Sequence, residues 1–540
     1  MPTHDPPLAP RDEAAFLLHI AAEIEHALMV QYLYSAYSLN PNAIGLSPSQ
    51  SAQVADWKRT ILAIAKEEMA HFISVQNILI SLGLPLNFER DSYPFRSQFY
   101  PFEFKLEPLT IRRRKSIKAA VKASKGDAEK IAAALFSASL NRYIAAEMPA
   151  LNLISDAERA LVETLTHGEQ VNRVGKLYER LLDLFDAGPT AGLRDSDFDG
   201  ERLDAQGYDS EWGGKDQSTI SFHALVRPVR TRAEARALLT EIAEQGEGHQ
   251  EGAVTSHFQR FLTIFKQLEQ FSPTQVYLHS IATNPTTSEL ATEATIIANP
   301  RTRRWAQLLN LRYRLLLGYL WHFLSLGGEL FTDVGDRTPH GWLVIATFME
   351  MSNLKAISEL LVGLDLDAPG GPKAGPTFEL PYGLALPDRE KDRWRRHIDV
   401  LTTARALADQ LQKSIAPAAD SEAAMLVALA ERDDKSLADL EELRKGNHPL
   451  AATGFAKVRQ ILDEGLRGFP LAQLAHSEFW RVDDETKLRD VAGFPPLRPG
   501  DGANSNIIKA LKGEAPFGAD LGTPGGALPA HASRASADRS

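Results

Sequence analysis

The stretch IAKEEMAHFI at residues 64–73 places two glutamates and a histidine inside an apolar helical run. Apolar residues recur at helical spacing through residues 51–82, so this segment is predicted to form a long helix that enters a core. Burying a carboxylate is costly unless it is paired or binds a metal ion. Any fold that this chain adopts must therefore supply partners for Glu67, Glu68 and His71.

Glu68 and His71 lie three residues apart and leave the same face of the predicted helix. Glu67 is rotated by about 100° from Glu68, so we expect it to be dispensable for a site on that face. A Glu-x-x-His pair that projects into a helix bundle is the ligand pattern of dinuclear carboxylate sites, which also need an acid from further helices. Taken alone, the pattern also fits a salt-bridged helix surface.

Two other predicted helices each carry an acid on an apolar stripe. Glu25 lies in AAEIEHALMVQYLY, where Leu28 and Tyr32 follow it at helical spacing. Glu147 lies in LNRYIAAEMPALN, where Tyr143 and neighbouring apolar residues flank it in the same way. One inward acid from each of three helices favours a shared metal site over a surface run of charge.

The fourth helix departs from the simple pattern. The segment EIAEQGEGHQEG offers Glu241, Glu244 and Glu247, but none of them has a histidine three residues later. On an ideal helix Leu238, Leu239 and Ile242 set the apolar side, and Glu244 and Glu247 lie well off it. Gly246 and Gly248 are poor helix formers, so we expect the helix to break or bulge here. A break would turn Glu247 inward and bring in His257 from the next helix, SHFQRF. The same acids also fit a solvated surface.

The composition limits the chemistry of any site. The chain has no cysteine, which excludes thiolate ligands and leaves His, Asp and Glu, a donor set that suits iron or manganese. The net charge of −11 and the pI near 5.8 argue against nucleic acid or an anionic membrane as a partner. The sequence has no apolar run of membrane-spanning length and no secretory pattern, so we expect a cytoplasmic protein.

Helical periodicity dominates the whole chain, and strand signals are sparse, so the predicted fold class is all-α. We expect a metal-binding bundle over residues 1–270, with a mobile polar loop at 188–218. A second helical region is expected over 271–480, and an irregular or disordered tail over 481–540. The aromatic loop at 93–103 and the loop at 188–218 are candidate lids. The bundle's predicted helices begin with segments 12–39, 51–82, 111–123, 126–148 and 156–187.

Six motifs, taken in order, resemble the ferritin-like domain of the iminophenyl-pyruvate dimer synthase family of bisindole pigment pathways. They are EIEHALMVQYLYSAYSL, IAKEEMAHFISVQNILISLGLP, YIAAEMP, VGKLYERL, EQGEG followed by SHFQRF, and GPTFELP. They run between about residues 12 and 390 and imply a ferritin-like four-helix bundle. The resemblance implies that the metal ligands are Glu25, Glu68, His71, Glu147 and His257, with Glu247 preferred to Glu244 on the fourth helix.

The same resemblance implies a function. It indicates a non-haem oxidoreductase that holds one or two iron ions, with manganese as an alternative. Such an enzyme would use O₂ or peroxide on a small substrate, such as one derived from an amino acid, in specialised metabolism. The haem-bearing region of the pigment enzymes has no match here, so their coupling reaction is not carried over. The alternative hypothesis is a non-catalytic metal-binding or structural helical protein. Self-association as a homo-oligomer is compatible with either hypothesis.

Overall fold

The computed structural model describes residues 8–446 apart from 98–101, 150–154, 167–173, 188–191, 199–204, 213–224, 248–255, 273–275, 327–338, 381–382 and 415–419. The described helices of the first half are α1 (Pro10–Ser38), α2 (Pro48–Ser81), α3 (Arg114–Ala123), α4 (Ala128–Leu135), α5 (Ser139–Ala146), α6 (Asp156–Thr166), α7 (Val174–Asp186), α8 (Asp209–Trp212), α9 (Arg232–Glu247) and α10 (His257–Leu268). Those of the second half are α11 (Pro300–Ser325), α12 (Pro339–Leu361), α13 (Glu390–Ser414) and α14 (Asp420–Arg444).

Sheet structure in these ranges is limited to two pairs of two-residue strands. β1 (Phe95–Arg96) pairs antiparallel with β2 (Glu103–Phe104), and β3 (Pro285–Thr286) pairs parallel with β4 (Thr295–Ile296). The all-α prediction is therefore confirmed. Within the described part of the chain, no helix combines the length and the apolar character needed to cross a membrane.

The helices α1 and α2 form an antiparallel pair within the bundle. Ser47 begins α2 with a capping box, in which its side chain accepts a hydrogen bond from the Gln50 backbone and the Gln50 side chain returns one. The helix ends just before Gly83, which takes a φ of +63°. Arg11, at the start of α1, donates to the carbonyl of Leu82. The start of α1 therefore meets the end of α2, which makes the two helices antiparallel.

The predicted continuous helix over 126–148 is wrong, because α4 and α5 are separate. Local side-chain bonds supply the reason. The Ser139 hydroxyl donates to the carbonyl of Pro108 and accepts from the Thr110 amide, and Asn141 accepts from the Arg112 amide. These bonds fix the start of α5 against the segment between β2 and α3, and they compete with a continuous helix. As a consequence α5 is only two turns long.

The predicted break in the fourth bundle helix is present. The helix divides into α9, which ends at Glu247, and α10, which begins at His257. Ser256 caps α10 by accepting a hydrogen bond from the Gln259 amide. α7 packs against α1 and α9, whereas α10 packs against α2, α5 and α9. The first residue of α10 therefore lies in the middle of the bundle.

The second helical region packs directly on this bundle. The His26 ring hydrogen-bonds the Tyr313 hydroxyl on α11, and the rings of Phe88 and Trp321 stack with centroids 5.2 Å apart. The hydrophobic core runs without interruption from α1 to α14. The division at residue 270 stays a prediction. The predicted tail over 481–540 and most of the predicted mobile loop lie outside the described residues.

The GPTFELP motif lies in the second helical region and contacts the bundle. Gly375 has a φ of +85°, and a Cβ there would lie 2.6 Å from the Tyr34 hydroxyl on α1. Arg90 donates to the carbonyl of Phe378 from the loop after α2. Only glycine combines this backbone conformation with so close an approach. The motif therefore has a structural role at the contact with α1.

We predict that Gly375→Ala lowers the free energy of unfolding by about 3 kcal/mol, since it adds a left-handed backbone cost to a steric overlap with Tyr34. Gly370→Ala is the matched control, because Gly370 has a φ of +81° and open space around it. It should cost about 1 kcal/mol. Chemical denaturation of both variants measures the difference, and equal losses would contradict the tight contact with α1.

Candidate metal centre

Five of the predicted ligands converge at one point in the bundle. Glu25 comes from α1, Glu68 and His71 come from α2, Glu147 caps the end of α5, and His257 begins α10. All five side chains are buried. They line a small cavity of about 10 Å³. The predicted set therefore meets in space, although its members span 232 positions of sequence between residues 25 and 257.

Glu68 lies at the centre of this arrangement. Its Oε2 is 3.1 Å from Nδ1 of His71, and its Oε1 is 3.0 Å from Nδ1 of His257. Two groups of potential ligands result, Glu25–Glu68–His71 and Glu68–Glu147–His257, and the atoms of each lie within 4.8 Å of one another. The two imidazole rings stack with centroids 5.6 Å apart. Glu68 is thus placed to serve two neighbouring metal positions.

Three polar atoms of this site are buried without a hydrogen-bond partner among the described residues. They are Oε2 of Glu25, Oε1 of Glu68 and Nδ1 of His257. The last two lie 3.0 Å apart as an ion pair without hydrogen-bond geometry. Leaving such atoms unsatisfied costs about 1–3 kcal/mol each, and more where the group is charged. Metal ions at the two positions would satisfy all three. The donor set of carboxylate oxygens and imidazole nitrogens fits iron or manganese.

The outer nitrogens of both imidazoles have partners. Nε2 of His71 is 2.8 Å from Oε1 of Gln245 on α9, and Nε2 of His257 is 2.9 Å from Oε2 of Glu67. Arg260, one turn further along α10, also donates to Glu67. If each Nε2 carries the proton, each Nδ1 is left free to bind a metal ion. These contacts orient both rings towards the cavity.

The two outlying acids each receive a hydrogen bond from a tyrosine. Tyr178 on α7 donates to Oε1 of Glu25, and Tyr32 on α1 donates to Oε1 of Glu147, and each hydrogen bond has an oxygen–oxygen distance of 2.5 Å. In each case one carboxylate oxygen is held by the tyrosine while the other faces the cavity side of the site. The tyrosines therefore fix which oxygen each acid presents.

The wall on the α9 side depends on a glycine. A Cβ at Gly246 would lie 3.2 Å from Oε2 of Glu147, so a side chain at this position would require the Glu147 carboxylate to shift by a few tenths of an ångström. Leu28, Ile242 and Ala243 complete the apolar lining. The glycine that weakens the helix in sequence is therefore also the residue that admits Glu147 to the site.

The remaining sequence predictions have different outcomes. Glu244 is exposed on α9 and does not line the cavity, since it lies off the apolar face of that helix. Glu247 ends α9, and its side chain lies outside the described residues. The expectation that Glu67 is dispensable does not fit the structure, because Glu67 is buried and bonded to His257. Gln245 was missed, although its position three residues after Ile242 places it on the apolar face.

Neither candidate lid lines the cavity within the described ranges. The aromatic loop forms the β1–β2 hairpin, in which the rings of Phe95 and Phe104 stack with centroids 4.9 Å apart. Tyr93, just before it, donates to the carbonyl of Ala27 on α1. This hairpin is fixed to α1 by packing and hydrogen bonding. Much of the 188–218 loop lies outside the described residues.

Without a metal ion, the charges of this site are balanced by protons. Burial and the neighbouring Glu68 carboxylate raise the pKa of Glu25 to about 8. Burial alone would lower the pKa of His71, but Glu25 and Glu68 outweigh it and raise this pKa to about 10. Burial opposes charge on His257 too, yet neighbouring carboxylates led by Glu68 raise its pKa well above the usual value. Metal binding must therefore displace protons.

We predict that the metal-free protein loses stability as the pH rises from about 6.5 to 8, where Glu25 and His71 both bind protons more strongly in the folded state than in the unfolded state. The folded protein retains a proton on Glu25 up to a pKa of about 8, against an ordinary value of 4.5. The stabilisation from charged His71 is complete below pH 6.5 and is lost as the pH rises towards about 10. The contribution of each group to the free energy of unfolding therefore falls as the pH rises.

Denaturation at a series of pH values, with chelator or with saturating Mn²⁺, measures this effect. The falling slope should vanish or reverse when the metal replaces the protons. Equal slopes with and without metal would contradict the assignment of these groups to one metal site.

Comparison with known proteins finds three similarities. The family model described as Ferritin-like matches residues 18–266, a range that contains all five converging side chains. A 124-residue segment is 27% identical to dichlorochromopyrrolate synthase from Lentzea aerocolonigenes, and this match spans 19% of the chain but only 12% of that enzyme. A crystal structure of a ferritin-like protein from Caulobacter vibrioides aligns with a TM-score of 0.40 and 17% identity, over 70% of this chain and all of the other. Residues 18–266 are therefore similar to the Ferritin-like family, and their described part is a helical bundle.

Proposed function

We propose that this protein is a non-haem oxidoreductase whose ferritin-like domain binds two iron ions and uses O₂ or peroxide. Its substrate is a small molecule, such as an amino-acid derivative, in specialised metabolism. The observation that carries the proposal is the pair of ligand groups that share Glu68. A structural helix bundle has no need to bury three carboxylates around a cavity with unsatisfied oxygen and nitrogen atoms.

The roles of the residues follow from their contacts. Glu68 holds the central position between two histidines, and Glu25 and Glu147 each complete one side. Tyr178 and Tyr32 each hold a proton against one oxygen of these outer acids. Two iron ions, when bound, would supply the electrons for reduction of O₂ or peroxide, with each ion providing part of them. The protein contributes a fixed set of ligands and a buried, water-poor setting.

The size of the cavity limits what can react inside it. With a volume of about 10 Å³ it is far below the roughly 300 Å³ at which small-molecule pockets begin. A molecule as small as O₂ or water suits this space, whereas an organic substrate does not. We therefore place organic substrate binding at the rim of the cavity.

The match to dichlorochromopyrrolate synthase supports the assignment to specialised metabolism. Its 27% identity over 124 residues is a distant relationship, and it extends over a small part of that enzyme. It therefore supports a related reaction class and not the same reaction.

The small cavity also favours one alternative, a protein that binds metal without turnover. Such a protein would need the same ligands and the same burial, but no access for an organic molecule. The two hypotheses differ in what happens after the metal has bound, since only the enzyme should consume O₂.

We predict that the ferrous-reconstituted protein binds about two iron ions per chain and consumes O₂ when air is admitted. Glu68→Ala should lose most of the iron, because both groups depend on this side chain. His71→Ala should lose about half, since it removes one imidazole from one group. Glu163→Gln, on the exposed face of α6, is the matched control and should retain full binding.

Iron analysis and an oxygen electrode make these measurements. Iron binding without O₂ consumption would favour the non-catalytic protein. Full iron retention in Glu68→Ala would contradict the proposed ligands themselves.

A further inference from the structure

The two ligand groups of the centre are built alike from the residues that face the cavity. Each has one oxygen of Glu68, one histidine through Nδ1, and one outer glutamate. Each outer glutamate receives a tyrosine hydrogen bond of 2.5 Å on Oε1. In the number and chemical type of these ligands the two positions do not differ. Among the described residues, a difference between the two positions therefore comes from the partners behind the ligands.

The partners of the two histidines are such a difference. His257 has the Glu67 carboxylate behind its Nε2, at 2.9 Å, whereas His71 has the Gln245 amide behind its Nε2, at 2.8 Å. A carboxylate accepts the N–H proton more strongly than an amide oxygen, which makes the imidazole a better electron donor to a metal. It also fixes the tautomer, because a carboxylate cannot turn a donor towards the ring, whereas a glutamine amide can.

Arg260 sets the size of this difference. Its guanidinium donates to the same oxygen of Glu67 that His257 contacts. The charges of Glu67 and Arg260 cancel at long range, so this ion pair adds no net charge behind His257. What remains is the local strength and direction of one hydrogen bond. Partners of this kind alter metal affinity by about 10- to 100-fold.

We propose that the centre is unequal, and that the Glu68–Glu147–His257 group binds its metal ion about 10-fold or more tightly than the Glu25–Glu68–His71 group. Glu67 is the positioning residue that creates this difference through His257. The inference rests on the proposed metal centre and goes beyond it. Under limiting metal the protein holds one ion, on the His257 side, and the second position fills only at higher concentration.

Titration of the metal-free full-length chain with Co²⁺ tests the proposal, with heat and visible absorption recorded together. The wild-type protein should bind two ions in two resolved steps. Glu67→Gln should weaken the tight step by about 10-fold or more and leave the weak step unchanged, so that the steps approach each other. A merely structural role for Glu67 would weaken both steps together.

The reverse change provides an independent arm that does not depend on the folding of the first variant. Gln245→Glu gives His71 a carboxylate partner and should strengthen the weak step. His71→Ala should keep the tight step, and His257→Ala should lose it. Glu163→Gln is again the surface control.

The outcomes separate the two proposals. A wild-type protein that binds no Co²⁺ overturns the metal centre itself. Two ions bound with equal affinity overturn only the inequality. A tight step that survives in His257→Ala, or that is unchanged in Glu67→Gln, overturns the assignment to the His257 side.

Discussion

The position of Glu68 between two buried imidazoles is the constraint on which this centre depends. A carboxylate within 3.1 Å of both rings must be compensated, and α2 cannot provide that compensation alone. His257 on α10 supplies part of it, whereas α1 and α5 bring two further carboxylates, Glu25 and Glu147. The cluster as a whole therefore needs protons or metal ions to balance its negative charge.

The irregular backbone is concentrated around the site. α5 stops at Ala146 and leaves Glu147 as its cap, and the fourth bundle helix is divided so that His257 begins a new helix. Gly246 removes the side chain that would otherwise press against Glu147. Each of these features weakens helical structure locally. Their coincidence at one cavity indicates that the sequence is shaped by the site as well as by stability.

Much of the fold was predictable because it depends on local pattern. The i, i+3 spacing predicted that Glu68 and His71 share one helix face, and the low helix propensity of Gly246 predicted the broken helix. The partners behind the ligands were not predictable in the same way. Glu67 meets His257 across 190 positions and Tyr178 meets Glu25 across 153, so tertiary packing alone decides these contacts. The position of Glu147 at a helix end also depends on contacts that are distant in sequence. These are the hydrogen bonds of Ser139 and Asn141 with the segment between β2 and α3.

The central claim is that two metal positions share Glu68. Anomalous diffraction from crystals soaked in Mn²⁺ or Fe²⁺ tests it most directly, because it locates the ions without reference to activity. We predict two anomalous peaks in the bundle, one beside Glu25 and His71 and the other beside Glu147 and His257, with Glu68 in contact with both. A map with no peak at Glu68, or with ions bound only elsewhere on the chain, would contradict the account.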